Sequence, residues 1–190
     1  MKMIISVLSA AALLLFISVG AFAQAPMAVG AGVDLMLPVG SFGDNWGTGF
    51  GGTAQFDLVV GPHTTLTGKI GFLTWSAKDL PSGVSATYSG VPFLVGAKYY
   101  PHLFVSQSGN GIRAYGHLEL GLMFGTVSVS GTSHGYAGSI SGSEANFTIA
   151  PSIGVEIPAG TRGAIDVSVR FFDISRKNSI GFRAGYKMMI

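Results

Sequence analysis

The chain contains no cysteine. Disulfides, thiolate nucleophiles and cysteine-held metals are therefore closed to it. Charge is scarce: Asp, Glu, Lys and Arg make up 11% of the residues, against about 25% in soluble domains. Lys and Arg number 11 and Asp and Glu 9, and no basic cluster is present, which argues against nucleic acid as a partner. Beyond Ala23 no apolar run approaches the ~20 residues of a membrane helix. No metal-ligand spacing is present either, and no cofactor is expected. Glycine, by contrast, is abundant, at 29 of 190 residues, roughly double its usual share of ~7%. A hydrophobic, charge-poor, glycine-rich chain without membrane helices points to β structure. If that structure sits in lipid it must be closed, because an open edge would leave backbone groups unpaired there.

The N-terminus indicates the compartment. Lys2 precedes an apolar core from about Met3 to Val19, and Ala21-Phe22-Ala23 forms a small-residue cleavage site. This is the pattern of a secretory signal peptide removed after Ala23. Residues 1–23 are thus expected to be a leader and 24–190 a single barrel domain. Export would permit disulfides; with none available, stability must come from packing and backbone pairing.

Eight segments alternate apolar and polar residues, the signature of strands. They run about Ala28–Leu37, Phe50–Val60, Thr64–Trp75, Tyr88–Tyr100, Ile112–Val127, Asn146–Ile157, Ala164–Asp173 and Gly181–Ile190. Most reach the ~9–11 residues that a tilted strand needs to cross the hydrocarbon. Gly49-Phe50-Gly51-Gly52-Thr53-Ala54 matches a dinucleotide fingerprint in letters only, since it lies inside a strand segment. The expected fold is all-β: an eight-stranded antiparallel up-and-down transmembrane barrel, closed by pairing Ala28–Leu37 with Gly181–Ile190.

If the apolar faces meet lipid, the interior collects Asp34, Asp57, Lys69, Lys98, Arg113, His117, Glu119, Glu156, Asp166, Arg170, Arg183 and Lys187. Charges in a low-dielectric interior persist when paired, and eight strands leave room for little more than side chains. A filled polar lumen is therefore expected, with Asp57, Lys69, Arg113, Glu119, Asp166, Arg170 and Arg183 as its network. Trp75 and Tyr88 at one end, and Tyr99, Tyr100 and Phe104 at the other, fit two interfacial girdles. The long links Pro38–Gly49, Ser76–Thr87 and Ser128–Ala145 are expected outside the cell, with Phe42, Trp46 and Tyr136 as contact residues.

The final octet carries the sharpest resemblance. Arg183, Gly185, Met188 and Ile190 are similar to the C-terminal recognition signal of bacterial outer-membrane barrels, although Ile190 replaces the usual Phe. The whole exported segment resembles the small OmpA-barrel and OmpX-like group. That resemblance implies an outer-membrane location, lipid and lipopolysaccharide as surroundings, handling by the barrel assembly machinery, a monomer, and structural or adhesive roles on surface loops. A narrow channel or hydrophobic-ligand conduit, as in OmpW-like porins, is the alternative. A lipid-modifying enzyme using Ser133 and His134 is the remote third, because a Gly/Ser-rich loop supplies no positioned base or oxyanion site. The protein is not expected to be an enzyme.

Overall fold

The computed structural model describes residues 26–101, 111–133, 136–175 and 177–190. The segment 1–23 expected to be a leader, His102, Phe104 and His134 lie outside the described residues, as do the side chains of Ser133 and Tyr136. Eight strands follow one another: β1 (Met27–Val39), β2 (Gly49–Val59), β3 (Thr64–Ser76), β4 (Val84–Tyr99), β5 (Arg113–Ser133), β6 (Tyr136–Pro158), β7 (Gly163–Ile174) and β8 (Lys177–Met189). Each pairs antiparallel with its neighbour, and β1 closes the ring on β8. The closing register runs from Ala28 opposite Met189 to Val39 opposite Asn178.

Two-residue alternation sorts every strand into an inner and an outer face. The outer face is inverted relative to a soluble barrel: Val33, Val95 and Ile153 are 68%, 67% and 71% exposed, while Lys98 and Glu119 are fully buried. Leu118, Leu120 and Leu122 also face outward. Such a surface is stable only in an apolar solvent. Inward glycines allow the strands to approach closely. A Cβ on Gly51 would lie 1.9 Å from the Phe72 carbonyl oxygen, and one on Gly121 would lie 2.0 Å from that of Phe93.

Three expectations change. The Ser128–Ala145 segment is not a loop: β5 and β6 continue through it and pair to Ser133 opposite Tyr136. The Pro38–Gly49 link contains a single helical turn, α1 (Gly40–Asn45), entered through Gly40 at φ +60. Trp75, Tyr88 and Tyr100 are not girdle residues, since all three point into the lumen and are buried. They share the inward parity of Lys69 and Lys98; only Tyr99 faces outward.

Candidate functional site

The lumen has two chemically distinct halves. The half nearer the termini is ionic, and Lys98 is its centre. Its ammonium lies 2.7 Å from Asp166, 3.1 Å from Glu156 and 3.7 Å from Asp57. Tyr115 donates to Asp166 at 2.7 Å and Tyr100 to Glu156 at 2.8 Å. Lys187 bridges Asp57 and Glu156, and Arg113 donates to the other Glu156 oxygen at 2.7 Å. Arg183 stands 3.5 Å from Asp166 and donates to Thr53, whose hydroxyl donates to Asp34; Asp34 in turn holds Arg170 at 3.0 Å. The space among Gln55, Asp57, Asp166, Arg183 and Lys187 has no room for a water molecule. Each buried carboxylate has a cation beside it, the condition under which buried charge is tolerated.

One step further along the lumen, Lys69 pairs with Glu119 at 2.7 Å. His117 shares a 2.9 Å hydrogen bond with the Thr67 hydroxyl, and its other ring nitrogen lies 3.8 Å from Glu119. In outline this is a nucleophile–base–acid chain. It is sealed inside the wall, however: Thr67 is 5% exposed and His117 6%. With both groups buried in the filled lumen the hydroxyl is closed to a substrate carbonyl, and Lys69 holds Glu119 as its ion-pair partner.

The half nearer the long links is apolar. Met36, Leu73, Leu94, Met123, Phe172 and Ile174 line it, and α1 inserts Phe42 from above. The Phe42 ring centre lies 5.8 Å from Trp75, 5.9 Å from Tyr88 and 6.0 Å from Trp46. Phe42 is thus 5% exposed, a stopper and not a surface contact, and Trp46 is half-buried beside it. The turn is fastened to the β3–β4 link. Gly47 donates to the Ser76 carbonyl at 2.8 Å, the Lys78 amide to that of Asn45 at 2.9 Å, and the Lys78 ammonium to that of Gly43 at 3.0 Å. The lumen is expected from the sequence to be filled and polar; among the described residues it is ionic in one half and apolar in the other.

Above the stopper, β4, β5 and β6 project as a ribbon. β6 pairs with β7 only from Thr148 onward, so its outer reach, from Tyr136, has a sheet edge that no described strand covers. The ribbon is bonded internally through Ser85 with Ser130 and Thr126 with Ser143. Ile140 on it is 81% exposed. Glu144, beyond the apolar belt, is paired with Lys177, whose hydrogen bond holds its carboxyl below the ordinary range.

Of the octet residues, Arg183 points inward, Gly185 faces the Gly32 backbone of β1, and Met188 and Ile190 face out at the terminus.

No protein-family model matches the chain, and no curated protein does. Solved structures do match. The outer membrane protein OprG of Pseudomonas aeruginosa superposes with a TM-score of 0.58 at 10% identity, over 87% of this chain and 96% of that one. Ail, the attachment invasion locus protein of Yersinia pestis, solved with the heparin analogue sucrose octasulfate, gives 0.56 at 11% identity, over 88% and 99%. Neisserial surface protein A gives 0.53 at 15% identity, over 85% and 96%. At these identities the likeness is one of architecture: the chain has the fold of the small eight-stranded outer-membrane barrels.

Proposed function

We propose that the protein is a barrel of the bacterial outer membrane, sealed through its lumen, whose projecting ribbon makes the contacts that matter. The tight turns and both termini then face the periplasm, and α1 and the ribbon face outward. Residues 24–190 would form the single domain, delivered by a leader cleaved after Ala23 and inserted by the barrel assembly machinery as a monomer among lipid and lipopolysaccharide. The observation that carries the reading is the uncovered β6 edge on a Ser/Gly/Thr-rich ribbon. Free edges pair readily with an extended segment of another chain. Among the similar structures, Ail is the attachment invasion locus protein of Yersinia pestis, which supports a surface role without fixing the partner.

Deleting residues 132–142 should leave heat-resistant folding unchanged, while adherence of cells displaying the protein to epithelial monolayers falls. An unchanged adherence, or loss of the folded band on electrophoresis, would sink the reading.

A second reading has one observation in its favour: the outer half of the lumen is apolar and is capped by α1, whose Phe42 ring packs with Trp46 over Trp75 and Tyr88. There the protein would hold a small hydrophobic ligand once α1 moves. Phe42→Ala is expected to admit the fluorescent probe N-phenyl-1-naphthylamine, whereas neither wild type nor variant conducts ions in planar bilayers, because the ionic half stays packed. Steady unit conductance of the wild type would overturn the sealed-lumen account.

A further inference from the structure

The ionic half ends in a vestibule that the network beneath it does not fill. A cavity of about 250 Å³ opens at the end bearing the termini, between the start of β5, the β6–β7 turn and the end of β8. Four charged groups face it: Arg113, Arg162, Lys187 and Glu156. Three are cations and one is an acid.

The acid is already saturated. One Glu156 oxygen takes Lys98, Lys187 and the Tyr100 hydroxyl, and the other takes Arg113. Lys187 also leans on Asp57 below. The cations retain donors that face the cavity. The Arg113 side chain is 46% exposed although its guanidinium is held over the Tyr100 ring, 4.9 Å from its centre. Arg162 is exposed and has no side-chain partner among the described residues. Its position is set by a tight turn: Gly160 takes φ +80, Ala159 donates to the Gly163 carbonyl, and Met189 donates to that of Arg162. Pro158, Ala164 and Met189 give the cavity an apolar wall.

We infer that this vestibule binds a phosphate group. Two guanidinium forks and an ammonium around one space match the several oxygens of a phosphate, and the excess positive charge draws an anion into a low-dielectric mouth. The apolar wall can pack against the carbon side of the glycerol that a phosphate carries in a lipid headgroup or in glycerol 3-phosphate, and Thr161 in the lining offers a hydroxyl to its polar side. Placing this mouth in the periplasm rests on the orientation proposed above; the site itself does not, and binding in detergent tests it in either orientation.

The test uses the full-length barrel refolded in non-ionic, phosphate-free micelles. Glycerol 3-phosphate is titrated by calorimetry, with glycerol and acetate as controls. In parallel, native mass spectrometry counts phosphatidylglycerol against phosphate-free diacylglycerol retained by the protein. Binding of either phosphate carrier, weakened about tenfold or more by Arg162→Ala and by Arg113→Ala, supports the site. Saturation by glycerol 3-phosphate identifies a soluble source, and retention of phosphatidylglycerol alone identifies a lipid source. Arg162 makes no contact in the buried network, so its variant should fold like wild type even if Arg113→Ala does not. Acetate competing as well as glycerol 3-phosphate, no binding of either carrier, or equal binding by wild type and Arg162→Ala would overturn the inference.

Discussion

Replacing Lys98 with methionine is expected to destabilise the folded barrel by about 3–5 kcal/mol. Lys98 is fully buried and lies within 4 Å of Asp57, Glu156 and Asp166. Removing the ammonium takes the central cation from three carboxylates in one dry space and leaves them Lys187, Arg113 and Arg183. The penalty is that of taking one partner out of a buried ionic cluster, which exceeds the value of the ion pairs themselves. Adding Asp166→Asn to Lys98→Met should recover part of the loss, because one of the stranded charges goes with it. Urea unfolding from lipid vesicles, followed by the fluorescence of Trp46 and Trp75, measures both. A Lys98→Met variant within 1 kcal/mol of wild type would mean that the ionic half does not hold the lumen together.

The second large effect belongs to the outer face. Leu120→Arg is expected to cost about 2–4 kcal/mol, whereas Ser130→Arg should cost about 0–1 kcal/mol. Both residues have the outward parity of β5 and both are exposed. Depth separates them. Leu120 pairs with Val95 and Ile149 in the middle of the wall, while Ser130 pairs with Ser85 and Ser139 in the ribbon. A soluble barrel would show no such gradient, since arginine at either position would be solvated. Equal costs at the two sites would therefore contradict the membrane reading.

Much of this was legible in the sequence, because in a small barrel parity is destiny. The alternation of Phe147, Ile149, Ile153, Val155 and Ile157 with Thr148, Ala150, Ser152, Gly154 and Glu156 sets the two faces of β6, and the same parity places Lys98, Glu119 and Asp166 inside. The partners of those charges were not legible. Lys98 on β4 meets acids on β2, β6 and β7, and which residues face one another across the lumen depends on strand stagger, which no local pattern records. The aromatic plug was half legible. Trp75 and Tyr88 carry inward parity, and assigning them to a girdle ignored it. Met36, Phe172 and Ile174 carry the same parity and mark the apolar half. Nothing in Gly40–Asn45 announces that α1 folds back over the mouth, because that turn is held by contacts with the distant Ser76 and Lys78. The ribbon was missed for another reason. Its many Ser and Gly residues have little intrinsic strand signal, and cross-strand pairing supplies what propensity lacks.

The central claim is that the barrel wears its apolar face toward lipid and packs its charges within. The absence of cysteine makes the test clean, because any cysteine introduced is the sole label site. Leu118→Cys, Leu120→Cys, Leu122→Cys and Ser130→Cys are each spin-labelled in protein refolded into lipid vesicles, and collisions with oxygen and with a water-soluble nickel chelate are compared. The first three labels should meet oxygen and exclude nickel, with the depth profile centred near Leu120, while the Ser130 label should meet nickel freely. Nickel access at positions 118, 120 and 122 equal to that at 130 would place the leucines in water and contradict the account.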